Sequence, residues 1–374
     1  MMTIDAAQKV LDRFSLDRRT YVDLKDSLGR VLSEDIVSGV DIPSFDRSDM
    51  DGYAIRDRDL DGRRFKLVGE MHAGSDLELI VELGECVWVA TGAKIPAGAN
   101  LVVPVENTEK IGNDVIVYET GKESYISERG CDIKCGETVL KMGCIVNDRN
   151  IGILAALGIK NVQVYDAPTV AIIATGDELA RIGDVNSITL SAIVAQSGGS
   201  SVFMGTVTDE ISRVKQKIKA AAKYDVIITS GGISSGKKDL IPIIVSEMGE
   251  VLFHRVKMRP GMPMLAGIIG EKPILCLPGN VTSCFICAHV FLRPMLLRMA
   301  HLPSDARMRH ARLSEEVTSE YGMRRYLPVK LVEGVAYPTF RGSGLITSIA
   351  YADGIVAIRE GETLTGGGVD VRMF

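Results

Sequence analysis

Val170-Ala171-Ile172-Ile173-Ala174-Thr175-Gly176-Asp177-Glu178 runs five unbroken apolar residues straight into a polar, glycine-containing loop. A strand with one wet face alternates apolar and polar residues, whereas a strand covered on both faces stays apolar throughout. Further strands are predicted at Val202–Val207, Val226–Thr229 and Ile274–Leu277. Helical patterns lie between and after them, at Ser187–Gln196, Ile211–Lys223, Leu240–Met248 and Val281–Met299. Asn186 stands at the N-cap of the first helix and Gly198 just past its end. Strands alternating with helices predict an α/β domain, a parallel-rich sheet with helices on both faces, over roughly residues 166–302.

Outward from this segment the texture changes. Ala6, Ala7, Val10, Leu11 and Phe14 recur at helical spacing, and Tyr21–Leu28 reads as a second short helix stopped by Gly29. From Arg30 to about Val164 short β-type runs dominate, at Phe65–Val68, Cys86–Ala90, Leu101–Val105 and Asp114–Tyr118, with a helical piece at Gly152–Leu157 after the turn-rich Asn147–Asn150. Helical pieces at both ends of a β-rich middle imply a domain split by an inserted one. After Pro303, strands are predicted at Tyr326–Leu331, Gly344–Ile349 and Gly354–Ile358, a small C-terminal β domain.

The chain has 374 residues, enough for roughly two to four domains. Its 43 basic and 48 acidic residues leave a net charge of −5, and 20 aromatics are few, so a nucleic-acid partner is not expected. No run reaches the ~18 apolar residues of a membrane span and no basic-then-apolar leader opens the chain, so the expectation is a cytoplasmic protein without membrane contact. Seven cysteines are an odd count, which excludes a complete disulfide framework. Cys284 and Cys287 fall in the long apolar helix and read as core thiols rather than a metal pair.

Three predicted strands end in polar loops: Thr175-Gly176-Asp177-Glu178, Ser230-Gly231-Gly232-Ile233-Ser234-Ser235-Gly236 and Pro278-Gly279-Asn280. In a parallel sheet such loops share the carboxyl edge, where ligands bind. The second and third lead into helices whose free N–H groups and dipole favour an anion, with hydroxyls from Ser234, Ser235 and Ser283 nearby. The phosphate-loop and dinucleotide fingerprints are both missing. Asp177, Glu178 and Asp239 would repel a phosphate unless a divalent cation bridged them, which implies Mg²⁺; Asp239 also reads as a simple helix cap. Arg259, in the strip Lys257-Met258-Arg259-Pro260-Gly261-Met262-Pro263, suits a bidentate grip on an oxyanion or is an ordinary solvated charge. Asp51-Gly52 is either a tight turn or part of a site, and Asp132 has the same two readings.

Seven motifs in one order resemble the molybdopterin molybdenumtransferase family, known as MoeA in bacteria and as the C-terminal part of gephyrin in animals. They are Asp49-Met50-Asp51-Gly52-Tyr53-Ala54; Thr91-Gly92-Ala93-x-x-Pro96-x-Gly98; Arg129-Gly130-x-Asp132-Ile133; Thr175-Gly176-Asp177-Glu178-Leu179; Gly231-Gly232-Ile233-Ser234-x-Gly236-x-x-Asp239; Leu277-Pro278-Gly279-Asn280; and Gly342-Ser343-Gly344. The resemblance implies a split helical and β linking domain (1–42 and 122–165), an inserted β domain (43–121), the α/β molybdopterin-binding domain (166–302) and a C-terminal β barrel (303–374). It implies a homodimer that works with other proteins of molybdenum-cofactor biosynthesis. The implied activity takes adenylylated molybdopterin and molybdate, releases AMP and places the metal on the dithiolene, with Mg²⁺ assisting.

By the same resemblance Glu178 and Asp239 are the metal ligands, and Asp51, Asp132, Glu178, Asp209, Asp239 and Arg259 the catalytic set. Asp51, Asp132 and Thr91 would reach the cleft from the partner subunit. Thr91, Thr175, Gly176, Asp177, Gly231, Gly232, Ser234, Gly236, Pro278, Gly279, Asn280 and Ser283 would hold phosphate and pterin. Three departures stand out. Met262 replaces a second cation of the family's Lys-Pro-Gly-Lys-Pro strip, Val281 replaces the proline after Pro-Gly-Asn, and residues 180–185 form a shortened connection. The competing reading is a paralogue that binds molybdopterin or a nucleotide, or acts as a scaffold, without turnover.

Overall fold

The computed structural model describes all residues except 178, 180–182, 234–239, 305–306 and 366. The chain divides into two units, one of Met1–Val22, Gly29–Val31 and Gln163–Phe374, the other of Asp23–Leu28 and Leu32–Val162.

In the first unit six strands lie in the order Ser200–Val207, Thr169–Thr175, Val226–Ser230, Lys272–Leu277, Leu265–Ile269, Glu250–His254. The first four are mutually parallel and the last two extend the sheet antiparallel. The sheet is therefore mixed, because the tight turn at Gly270, between Ile269 and Lys272, allows only an antiparallel return. Successive residues of the first parallel strand enter different cores. Val170 and Ile172 meet Leu190, Ile193, Val194 and the long helix, while Ala171 and Ile173 meet Val214, Ile218, Ile241 and Ile244. Both faces are dry, which is why the strand carries no alternation. The chain passes from Thr169–Thr175 to the neighbour on one side and then returns to the other side, so the strand order reverses at the carboxyl ends of Thr169–Thr175 and Val226–Ser230. Such a point opens a crevice.

The predicted long helix is continuous but not uniform: Val281–Cys287 and Arg293–Met299 are α-helical and Ala288–Leu292 is a π turn. The Arg293 N–H bonds to the carbonyl of Ala288, five residues back. Pro294 follows at once, and the widened turn absorbs a ring that lacks an N–H and crowds the preceding carbonyls. By length and composition alone these 19 residues, with mean hydropathy 1.3, are long and apolar enough for a membrane span. They are 72% buried within the fold, as a core helix is. The amino-terminal helix Ile4–Leu11, capped by Thr3, puts Ile4, Ala7 and Leu11 into the same core.

Two expectations fail. Arg19–Asp23 is a strand followed by a single 3₁₀ turn, Leu24–Asp26, in place of the helix predicted over Tyr21–Leu28; Tyr21 and Leu28 are exposed, so no apolar helical face exists there. Gly344–Ile349 is not a strand: a short helix, Thr347–Ala350, follows a turn. The Ser348 hydroxyl donates to the Gly342 carbonyl at 3.1 Å and accepts from the Arg341 N–H at 3.0 Å, local bonds that take the place of a sheet ladder.

At the carboxyl end Arg324–Val332, Val335–Pro338, Met308–Leu313, Gly368–Met373 and Gly354–Ile358 pair in a ring that closes on itself, the expected barrel with five strands. Leu313, Leu327, Val329, Val356, Ile358 and Val371 fill it. Met258–Arg259 pairs in parallel with Arg324–Arg325, which stitches the basic strip onto the barrel wall.

The second unit holds a six-stranded sheet in the order Leu101–Pro104, Gly52–Ile55, Glu85–Val89, Arg64–Met71, Asp114–Val117, Thr108–Ile111, with an apolar cluster on each face. Its helix Asp148–Ala156 begins earlier than predicted. Asn147 and Asn150 cap each other's backbone N–H groups, so the segment read as a turn is the helix start.

Candidate functional site

Three loops converge at the carboxyl edge of the parallel strands, and named bonds tie them together. The Gly176 N–H donates to the Val207 carbonyl at 3.2 Å, the Thr175 hydroxyl to the Ser230 carbonyl at 3.3 Å, and the Gly231 N–H to the Leu277 carbonyl at 3.0 Å. Gly231 sits at φ +99°, where a Cβ would stand 2.2 Å from the Thr175 carbonyl oxygen. Only glycine fits, so the loop presses flat against its neighbour and leaves room in front.

That room is a cavity of about 390 Å³ lined by Thr175, Asp184, Asn186, Ser230, Gly231, Gly232, Pro278, Gly279 and Asn280, with Leu179, Ile233 and Pro263. Of the predicted binding residues, Thr175, Gly231, Gly232, Pro278, Gly279 and Asn280 are thus brought together. Gly176 is one residue from this wall. Asp177 accepts the Asp209 N–H at 3.2 Å, so these two predicted acids are neighbours at the end of the first parallel strand. Glu178, Ser234, Gly236 and Asp239 lie outside the described residues.

Two residues at this cavity were not read as functional from sequence. Asn186, read as an N-cap, is instead the first residue of the helix Asn186–Gln196, which follows Val185. Its buried side-chain amide donates to the Ser230 hydroxyl and to the Gly279 carbonyl, each at 2.8 Å, and so joins the second and third loops. Asp184 accepts the Ser187 N–H at 3.1 Å through Oδ1, while its Oδ2 is buried with no partner among the described residues. The available signal was the polar cluster Asp184, Asn186 and Ser187 opening an otherwise apolar helix.

A second cavity, about 500 Å³, adjoins the first, and Pro263, Pro278 and Asn280 line both. Its walls are the basic strip, the start of the long helix at Ser283, and barrel residues including Thr318, Ser319, Glu320, Arg325, Phe340 and Ser343. Arg259 and Arg325 are register partners on paired strands, so two guanidinium groups serve one space. The Asn280 amide donates to the Ser343 hydroxyl at 3.2 Å and the Thr282 N–H to the Ser343 carbonyl at 2.9 Å, which pins the third loop to the motif Gly342-Ser343-Gly344. Gly261, at φ +110°, rests on the long helix: a Cβ there would meet Cys287 Sγ at 2.4 Å. Cys284 and Cys287 are buried packing groups, as expected. Burial pushes the Cys284 thiol up to about 12 and Cys287 well above its ordinary value, so neither is a ready thiolate.

The remaining predicted residues belong to the second unit. Asp51 Oδ1 accepts both the N–H of Thr91 at 2.6 Å and its hydroxyl at 2.9 Å, bonds that hold the carboxyl below the usual carboxylate range. Asp132 is exposed in the loop whose backbone meets Ile42.

A doubly covered α/β domain with a glycine-walled cavity, joined to a barrel that completes a two-arginine cavity, defines a multidomain α/β and β-barrel protein with two adjoining polar cavities. Family models agree: the MoeA N-terminal region (domains I and II) matches residues 2–158, the probable molybdopterin binding domain 171–298, and the MoeA C-terminal region (domain IV) 310–374. A molybdopterin molybdenumtransferase of Staphylococcus aureus is 33% identical over 96% of this chain and 91% of its own length. Two solved molybdopterin biosynthesis MoeA proteins of Pyrococcus horikoshii superpose with TM-scores of 0.89 and 0.78 at 32% and 29% identity. The first covers all of this chain and 99% of its own, the second all of both. The chain belongs to the MoeA, or molybdopterin molybdenumtransferase, family.

Proposed function

We propose that this chain inserts molybdenum into molybdopterin: it takes adenylylated molybdopterin and molybdate, releases AMP and leaves the metal on the dithiolene. The observation that carries this reading is the shared wall at Pro263, Pro278 and Asn280. An ester held by the glycine loops and an oxyanion held by Arg259 and Arg325 would lie side by side, and positioning of this kind removes much of the entropic barrier to their reaction. Ser283 and Ser343 add hydroxyl donors toward the oxyanion. Arg325 also answers the loss of a cation at Met262, because a second guanidinium reaches the space from the barrel. That favours turnover over silent binding.

Mg²⁺ fits the first cavity. The Oδ2 of Asp184, without a partner among the described residues, is a hard oxygen donor, and magnesium commonly takes one or two carboxylates with water and phosphate. Among the described residues no group of three His, Cys, Asp or Glu side chains forms a ready metal cage. Asp184, with Glu178 and Asp239, would hold the ion, which would supply charge neutralisation at the phosphate.

The same proposal includes a cytoplasmic homodimer in which Asp51, Thr91 and Asp132 of a second copy complete the cleft. Purified protein given adenylylated molybdopterin, Mg²⁺ and molybdate should release AMP; silence where a standard family member turns over would overturn the reading. Mixing the D51N and R259A variants, each inactive alone, should restore part of the activity if the cleft is shared between copies.

A further inference from the structure

We propose that Glu320 is a specificity-determining residue of the two-arginine cavity: its carboxylate occupies Arg259 as a resident anion until a dianionic tetrahedral oxyanion displaces it. The inference rests on the oxyanion reading of that cavity.

Arg259 Nη1 donates to Glu320 Oε1, and both residues line the cavity. Arg325, the register partner of Arg259, donates to the carbonyl of Thr318 at 2.9 Å, a neutral acceptor that orients the guanidinium without cancelling its charge. Two guanidinium groups and one carboxylate leave a local charge of +1. Withdrawal of Glu320 raises it to +2, the complement of a dianion such as molybdate. A monoanion offers no more charge than the carboxylate it would replace, and the carboxylate has the advantage of being tethered.

The backbone at Glu320 does not need to move. Its carbonyl accepts the N–H groups of Met323 and Gly361, each at 3.3 Å, and the Ser319 hydroxyl donates to the Met323 carbonyl at 2.6 Å. Rotation of the side chain alone clears Arg259. The Arg259 and Glu320 side chains are 55% and 64% exposed, so the pair is of the weak, solvent-screened kind that a better-matched anion can break.

Molybdate binding to the full chain, followed by titration calorimetry, tests the inference. E320Q and E320A should each tighten molybdate about two- to five-fold, the range an exposed ion pair supports. The gain should vanish in the R259A background. Perrhenate, a tetrahedral monoanion, should compete with molybdate more steeply in E320Q than in the unaltered protein. Unchanged or weakened molybdate binding in both Glu320 variants, a gain that persists without Arg259, or equal perrhenate competition would each overturn the role of Glu320. If R259A itself leaves molybdate binding intact, the oxyanion reading of the cavity fails instead. Melting curves of each variant confirm that the fold is retained.

Discussion

The side-chain amide of Asn186 lies 2.8 Å from the carbonyl oxygen of Gly279, a bond across 93 residues that joins the start of one helix to the loop before another. With its second bond to Ser230, this one side chain sets the spacing of two loops that line the proposed nucleotide cavity. Asn186→Ala removes the donor and leaves buried acceptors unpaired, which costs about 1–3 kcal/mol. Urea unfolding should show that loss, and AMP affinity should fall by more than the stability change alone accounts for, since the loops lose their register.

Gly231→Ala forces a Cβ to within 2.2 Å of the Thr175 carbonyl oxygen at a φ of +99°. Backbone strain of this kind costs about 1–3 kcal/mol before any displacement of the neighbouring strand. The melting temperature should drop and nucleotide binding should be lost, while Gly270→Ala, with open space around it, should cost less and leave binding intact.

His289 sits buried in the π turn against Phe285 and Phe374. Burial foremost, and the nearby charges of Arg293 and Arg372, pull its pKa from 6.5 down to about 3. The unfolded chain therefore takes up the proton first. Stability is fully present above about pH 6.5 and falls as the pH drops toward 3, by at most ~1.4 kcal/mol per pH unit. Urea midpoints at pH 7, 5.5 and 4.5 should show this slope, and His289→Leu should flatten it.

Asp225 is buried at the base of the sheet, gripped by Arg18 at 2.9 and 2.8 Å and by the N–H and hydroxyl of Thr169 at 2.9 and 2.7 Å. Burial alone would raise its pKa, but the bonds from Thr169 and Arg18 outweigh it and hold the carboxyl below its ordinary value. Its stabilising share is present above the unfolded value near 3.8 and is lost as the pH falls through the lower folded value. Asp225→Asn should destabilise the first unit by about 1–3 kcal/mol, because Arg18 is half exposed and regains water when the pair breaks.

Cysteine labelling should separate two classes. Cys131 and Cys135 are exposed, whereas Cys86, Cys276 and Cys284 are buried with thiols pushed up to about 12 and Cys287 higher still. Iodoacetamide at pH 8 should modify the exposed pair in the native protein and reach the four buried thiols only after denaturation, read by mass spectrometry.

Much of the fold is local information. The apolar run Val170–Ala174, the helical spacing over Ile211–Lys223 and the glycines Gly176 and Gly231 after two of the strands are readable because burial on two faces, helical period and positive φ leave marks on neighbouring residues. Tyr21–Leu28 and Gly344–Ile349 misread because short segments carry too little period to outweigh their surroundings. At the cavities, the glycine loops were legible as motifs, but Asn186 passed for a cap, since nothing nearby in sequence tells where its amide points.

The residue order alone determined the alternation of strands and helices in the α/β domain and the polar loops at their carboxyl ends, because covered strands and close backbone approach each demand particular residue types in place. Only the tertiary structure decided that Arg325 stands beside Arg259, that Glu320 neutralises one of them, and that Asp184 keeps at the first cavity an oxygen with no partner among the described residues. The first two relations join residues 66 and 61 positions apart through strand pairing and barrel closure, and the energies that select them come from contacts no local pattern records.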